Sequence, residues 1–326
     1  MRARVSAGIA LFLLSAMLPG CRQQASSVAV IPRTTSTLLW EPMHMGVAEQ
    51  ARGSGIDIHW NAPADEGDSE KQLNLFAAAL RNSSRGIILA PSETLNSRSA
   101  VLQAVSKQVP VVIVDDELGP PAGPYLSYVS NDETAGTRLA AERVNHLLKG
   151  HGTIALMGIS PRIESGLTRE ESFERALAAI APGIEIKVRH FGDLVITHQQ
   201  QIAQEILDGH EHVDAIVALT AAATRGAYYA RIATEPRPAI AIVGFDQDLL
   251  APIQLGEVDS VIVQNTRRIG QLAMQNMQAQ LQGAAVAPQT LVEPLLMTRE
   301  NMNSEPMQSL WPFADYDWSH AGGGSK

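Results

Sequence analysis

The chain has 326 residues and a formal charge of -9 at pH 7, with 45% apolar and 18% charged residues. At about 100–200 residues per domain that length suggests two domains, and the composition suits a full core and excludes a disordered chain. The 25 Lys and Arg against 34 Asp and Glu form no basic stripe, which argues against a nucleic-acid partner, and the single Cys excludes an intramolecular disulfide or a multi-Cys metal site.

Residues 1–20 read as an export signal. Arg2 and Arg4 form a positive start, and 5–18 is an apolar run of about 14 residues, too short to cross a bilayer core of roughly 30 Å. The run ends in Leu18-Pro19-Gly20-Cys21, which resembles a bacterial lipobox, with Pro19 as an unusual occupant. Cleavage there would leave Cys21 as a lipidated N-terminus, and several acyl chains would anchor it stably, at about 0.8 kcal/mol per buried methylene. The alternative is an ordinary signal peptide with an incidental Cys. The residues that follow, to about 34–37, read as a polar tether, and no other run reaches transmembrane length.

From Thr35 onward, short apolar runs alternate with segments of helical period. Thr37-Leu38-Leu39-Trp40 is a strand candidate, followed by a helix over 42–52; strands at 56–60, 86–89 and 111–114 alternate with helices over 69–82 and 97–107. A shorter strand at 126–129 leads into a helix over 135–148. The rhythm restarts with strands at 153–157, 184–191, 215–219, 240–243 and 261–263, separated by helices over 169–180, 199–208 and 224–232 and a short turn at 248–255, and closed by a helix over 267–282. Such alternation means βαβ units and parallel sheets. The units are too many for one sheet, so the chain divides into two doubly wound α/β halves with the break near Asn131-Asp132. Phe173, Met274 and Met277 read as core. Residues 303–326 form a tail carrying Trp311, Phe313, Tyr316 and Trp318.

Ligands of open parallel sheets bind beyond the carboxyl ends of the strands. The residues there include Trp40, Asp115-Asp116, Phe191, Thr220, Phe245-Asp246 and Gln264, with Arg169 opening a helix. Carboxylates, amides, arginine and aromatic faces together suit a neutral polyhydroxylated ligand. Asp115 and Asp116, as neighbours on a strand end, should point to opposite sides. Plainer roles stand beside these: Asp115 capping a turn, Asp116 facing solvent, Asp246 capping a helix, Trp40 in the core, Arg169 in a surface ion pair, Gln264 at a hinge. No nucleophile elbow, phosphate loop or dinucleotide fingerprint is present, so neither catalysis nor a cofactor is expected. His210-Glu211-His212 is weak evidence for a metal, and none is assigned.

Several stretches carry a family resemblance: Arg85-Gly86-Ile87-Ile88-Leu89-Ala90-Pro91, Val109 to Asp115, Val129-Ser130-Asn131-Asp132 with Gly136, Arg169 with Phe173, Val243-Gly244-Phe245-Asp246, and Val263-Gln264 with Gly270. In that order the chain resembles periplasmic sugar-binding proteins of ABC importers, the ribose-binding type, over 35–302. The resemblance implies two Rossmann-like lobes joined by three crossovers near Asn131, Gln264 and Val292. The first lobe would hold 35–131 and 264–292, and the second 132–263 and 293–302. A sugar would lie between them, held by Asp115, Arg169, Asp246 and Gln264, with Trp40 or Phe191 stacking on it. Closure would signal to the permease of an ABC importer from the periplasm or cell surface, the protein acting as a lipid-anchored monomer. Asp116 and Thr220 depart from the family pattern, which suggests a different sugar, a larger one, or an amine-bearing ligand favoured by the extra carboxylate of Asp116. Replacing Arg169 or Asp246 by alanine is expected to remove ligand-induced stabilisation while leaving apo stability nearly unchanged. A sensor presenting the same sugar to a histidine kinase or chemoreceptor is the alternative. A transcription regulator would need a basic DNA-binding segment where the export signal stands, and an enzyme would need an activated nucleophile or a matched carboxylate pair.

Overall fold

The computed structural model describes residues 26–35, 39–65, 68–116, 118–160, 164–193, 195–209 and 212–310. The export signal, Cys21, Thr37, Leu38, His210, Glu211 and the aromatic part of the tail lie outside the described residues. The first half runs β1 (Ser26–Ile31), α1 (Trp40–Ala51), β2 (Ile56–Trp60), α2 (Ser69–Arg81), β3 (Gly86–Leu89), α3 (Thr94–Ser106), β4 (Val111–Asp115) and β5 (Leu126–Asn131). The second runs α4 (Glu133–Leu148), β6 (Gly152–Ile159), α5 (Glu164–Ile180), β7 (Ile184–Phe191), α6 (Ile196–Asp208), β8 (Ala215–Ala218), α7 (Ala221–Ala233), β9 (Ala241–Phe245), α8 (Leu250–Gln254) and β10 (Ser260–Val263). It is followed by α9 (Thr266–Leu281), β11 (Gln289–Val292), β12 (Leu295–Thr298) and α10 (Glu305–Gln308).

These strands build two six-stranded sheets, in the orders β2-β1-β3-β4-β5-β11 and β7-β6-β8-β9-β10-β12. Every pairing is parallel except β10 with β12. The inner strands β3, β8 and β10 are buried at every residue, and β4 at all but its last, as expected of strands covered by helices on both faces. The edge strand β7 alternates buried and open positions. Phe76 and Val101 fill the layer on one face of the first sheet, while Met43, Met274 and Met277 fill the other. Phe173 lies in the corresponding core of the second lobe.

The chain passes between the lobes three times. The end of β5 leads into α4, which packs on the second sheet; β10 leads into α9, which packs on the first; and β11 and β12 belong to different sheets. The strands β11 and β12 are not among those read from the sequence; unlike the equally short β3, β8 and β10 they are only partly buried, β11 at Val292 alone and β12 at its last two residues.

The first strand differs from the sequence reading. Ser26–Ile31 lies in the stretch read as tether, yet it is an inner strand between β2 and β3, with Val28 and Val30 fully buried. Trp40, read as the end of a strand, opens α1 instead. Its apolar neighbourhood is explained by the first turn of a core-facing helix. The tail also begins differently: Met302, Met307 and Leu310 are buried in the second lobe's core, and Arg267 at the start of α9 donates to the carbonyl of Ser309 at 3.1 Å.

Two glycines let α1 and α9 cross closely. A Cβ on Gly46 would lie 2.0 Å from the Arg267 carbonyl oxygen, and one on Gly270 would lie 2.2 Å from that of Met43. Because the obstructing atoms are backbone, one helix must move. Gly270→Ala is therefore expected to lower the unfolding free energy by about 1–3 kcal/mol. Urea denaturation checks this, and an unchanged midpoint would show that the helices separate at no cost.

Candidate functional site between the lobes

The carboxyl ends of both sheets meet at one cleft. On the first lobe, the chain turns sharply at the end of β4. Asp115 has φ +72°, and the Asp116 N–H donates to the Val114 carbonyl at 3.1 Å, which makes a γ-turn centred on Asp115. Positive φ at such a turn is rare for a non-glycine residue and is tolerated best by short polar side chains. The turn cancels the strand alternation, so the two neighbouring carboxylates reach the same group. Nη2 of Arg33 lies 2.9 Å from Asp115 Oδ2 and 2.5 Å from Asp116 Oδ2. The expectation that the two acids point apart is thus corrected, and Asp116 is part of the cleft cluster.

Arg33 also donates through Nε to the Pro91 carbonyl at 3.0 Å. Beneath it, the buried amide of Gln72 ties the loops after β1 and β3 together. Its Nε2 donates to the carbonyls of Pro32 (3.1 Å) and Ala90 (2.8 Å), and its Oε1 accepts from the N–H and hydroxyl of Ser92, both at 2.9 Å. Asn131, at the end of β5, donates to Asp115 Oδ1 at 3.1 Å.

On the second lobe, Asp132 caps α4 by accepting from the Ala135 N–H at 2.8 Å, which places Glu133 in the helix's first turn facing the cleft. Arg169 on α5 grips Glu133 through Nε and Nη2, the latter 2.9 Å from Oε1, and donates from Nη1 to the Leu219 carbonyl at 2.9 Å. The guanidinium carbon stands 4.9 Å from the centre of the Phe245 ring, within cation–π range. Burial pulls the Arg169 pKa down, but Glu133, Asp115 and Asp116 outweigh it and hold it above the usual arginine range.

Asp115 is where the two lobes feel each other. Burial pushes its carboxyl up to about 6; Arg33 opposes, Asp116 and Glu133 add to the rise, and Arg169 opposes. A carboxylate on β4 is thus sensitive to an acid and an arginine carried by the other lobe.

The other expected site residues fall in different places. Asp246 immediately follows β9, and its side chain is 1% exposed. Its oxygens accept from Arg225 Nε at 2.7 Å and Nη2 at 3.1 Å, and Oδ1 also accepts from the Asp248 N–H at 2.8 Å. Burial raises its pKa while Arg225 pulls it down. Thr220 caps α7, its hydroxyl accepting from the Ala223 N–H at 3.3 Å. Gln264 lies on the β10–α9 crossover; its N–H donates to the Gln247 side chain at 2.9 Å, while its own Oε1 is buried without a partner. Asn131 Oδ1 is likewise buried and unpartnered. Trp40 is only 2% exposed and packs in the first lobe's core, so stacking from this residue is corrected to core packing. Phe191, at the end of an edge strand, is 55% exposed, and the buried aromatic beside the cleft charges is Phe245.

Sequence reasoning thus missed Arg33, Glu133, Phe245 as the cleft aromatic, and Arg225. Arg33 would have been found had β1 been located, since it lies two residues past that strand. Arg225 carries no local signal. Among the described residues, no cluster of metal-ligating side chains occurs, and no helix is long and apolar enough to cross a membrane.

The profile of the family described as "Periplasmic binding protein domain" matches residues 28–285. The chain belongs to the periplasmic binding protein family. The family is one of binding proteins rather than enzymes, and the two six-stranded lobes are its type I fold. This binding protein is 24% identical over 301 residues to the D-allose-binding periplasmic protein of Escherichia coli (strain K12), covering 88% of this chain and 96% of the relative. Among solved structures, it resembles a sugar-binding protein of a sugar ABC transporter from Bacillus halodurans, with TM-score 0.79 and 18% identity over 86% of this chain and 99% of that one. It also resembles an ABC transporter solute-binding protein from Agrobacterium vitis with bound D-fucose, with TM-score 0.75 and 22% identity over 87% and 99% of the two chains.

Proposed function

We propose that this periplasmic binding protein captures a neutral, monosaccharide-like sugar between its lobes and delivers it to the permease of an ABC importer, held at the membrane through Cys21. The observation that carries this reading is that the Arg33–Asp115–Asp116 cluster of one lobe and the Glu133–Arg169–Phe245 cluster of the other lie close enough for Glu133 and Arg169 to act on the Asp115 carboxylate. Paired carboxylates and guanidiniums give a sugar hydroxyl an acceptor and a donor side by side, and an aromatic face covers the C–H side of a ring. The unpartnered oxygens of Asn131 and Gln264 add two acceptors on the crossover segments, where a ligand hydroxyl would stabilise the closed arrangement. Asp246 and Thr220 serve this site by holding Arg225 and by capping α7. The lobes of this reading are those expected from the sequence, with the first beginning at β1.

A thermal-shift screen of the protein from Arg22 onward tests the binding step, using pentoses, hexoses, amino sugars, polyols and disaccharides. A ligand at a hundredfold excess over Kd should add about 2.7 kcal/mol of stability. Silence across the whole panel would overturn the reading. For the anchor, Cys21→Ala in the full-length chain is expected to move the protein from the membrane fraction to the soluble periplasmic or culture fraction. Retention in the membrane fraction would show that something other than Cys21 holds it there.

A further inference from the structure

Each lobe carries one guanidinium clamped between two aspartates at the cleft end of its sheet. Arg33 bridges Asp115 and Asp116, and Arg225 bridges Asp246 and Asp248 through contacts of 2.7, 3.1 and 2.6 Å. The two clamps are made independently, Arg33 from the loop after β1 and Arg225 from α7. Each of the acids Asp115, Asp116, Glu133, Asp246 and Asp248 thus has an arginine, Arg33, Arg169 or Arg225, within ion-pair distance. Without either clamp, two neighbouring carboxylates would lack their counter-ion. An ammonium group has the charge and the hydrogen-bond donors to fill that place.

We propose that Arg33 and Arg225 are specificity residues: they occupy the cation positions of the cleft and thereby select an uncharged sugar over its amino-deoxy analogue. This rests on the reading that the cleft binds a sugar. It also answers the expectation drawn from Asp116. The extra carboxylate does not by itself call for a cationic ligand, because Arg33 already occupies the cation position between Asp115 and Asp116. Arginine suits the role better than lysine. Its planar fork engages both oxygens of Asp246 at once, and it stays protonated at any physiological pH.

The test uses matched pairs, each a neutral sugar and its amino-deoxy analogue, such as D-glucose with D-glucosamine and D-galactose with D-galactosamine. A further pair is built on whichever sugar gives the largest thermal shift. Calorimetric affinities are measured for the wild type, Arg33→Ser, Arg225→Leu and Arg225→Lys. The wild type should prefer the neutral member. In Arg33→Ser and Arg225→Leu the amine-to-neutral affinity ratio should rise about tenfold or more, the size of one charge-assisted hydrogen bond gained. Arg225→Lys should keep the wild-type preference. Asp246 is buried, so Arg225→Leu is the variant at risk of misfolding; Arg33→Ser, beside the more open Asp116, decides the matter alone if needed. An unchanged ratio in Arg33→Ser, or a wild type that prefers the amine, overturns the inference while leaving sugar binding intact. A wild type that binds neither member of any pair overturns the sugar reading itself.

Discussion

Alanine in place of Arg169 is expected to abolish the ligand-induced thermal shift and, in addition, to destabilise the apo protein by about 3 kcal/mol, as losing one member of a largely buried ion pair does. The second part reverses the expectation drawn from the sequence, in which Arg169 donates to the ligand, or at most joins a surface ion pair, and its loss leaves apo stability nearly unchanged. In the structure its side chain is 13% exposed and binds Glu133 through two nitrogens, the Leu219 carbonyl through a third, and the Phe245 face. Removing it leaves a carboxylate and a carbonyl without their donor at the mouth of the second sheet. Asp246→Ala falls under the same correction, since it takes from Arg225 its principal partner. Lysine at 169 should recover part of the stability but little ligand response, because an ammonium cannot reproduce the fork. Differential scanning calorimetry with and without the screened sugar separates the two effects. A normal apo melting temperature for Arg169→Ala would mean that Glu133 finds solvent freely and that the ion pair contributes nothing.

Asparagine at 115 should make the apo protein more stable at neutral pH and leave it nearly unchanged in acid. The Asp115 carboxyl rises from 3.8 to about 6 on folding, chiefly through burial. The folded state therefore holds the proton more tightly than the unfolded state does. Its favourable share of stability is complete below about pH 4 and is lost as pH rises through 6. Asparagine is neutral throughout and accepts the positive φ of the γ-turn, so backbone strain is not a confounding change. The stability difference between variant and wild type should be small at pH 4 and grow to roughly 2–3 kcal/mol at pH 7. Taking the difference cancels Glu49, Asp214 and Glu300, whose lowered pKa values act in the opposite sense. Affinity for the sugar should fall by about tenfold to a hundredfold, because the carboxylate acceptor is gone. Urea denaturation at several pH values reads the first effect, and a difference flat from pH 4 to 7 would place Asp115 in contact with solvent rather than between the lobes.

Most of the architecture was legible because it is local. Val111 to Val114 and Gly86 to Leu89 are short, apolar and bounded by turn residues, and they are buried strands. The failure at β1 is equally local. Ser26–Ile31 and Thr37–Trp40 are both short apolar runs near a polar stretch, and periodicity cannot say which one enters a sheet, nor that Trp40 opens a helix. Only pairing with β2 and β3 decides that. The consequence reached the site, since misplacing the strand hid Arg33 and put Trp40 at a strand end it does not occupy.

By itself, the amino-acid sequence determined two doubly wound lobes and the placement of Asp115, Asp246 and Gln264 at or just past the ends of strands, and the family resemblance implied the three crossovers; Arg169, read as opening a helix, lies one turn inside α5, which begins at Glu164. Hydrophobic period and turn residues report whether each short segment is buried, and strand ends in parallel sheets face the ligand whatever their partners. Tertiary structure alone decided which of these charges meet. Arg33 and Asp116 are 83 residues apart, Arg169 and Glu133 are 36 apart, and Arg225 and Asp246 are 21 apart. Such pairs depend on the register of one strand against another, on the γ-turn at Asp115 and on the approach of two lobes. None of these leaves a periodic trace in the chain, because an ion pair is set by distance in space and not by spacing in sequence.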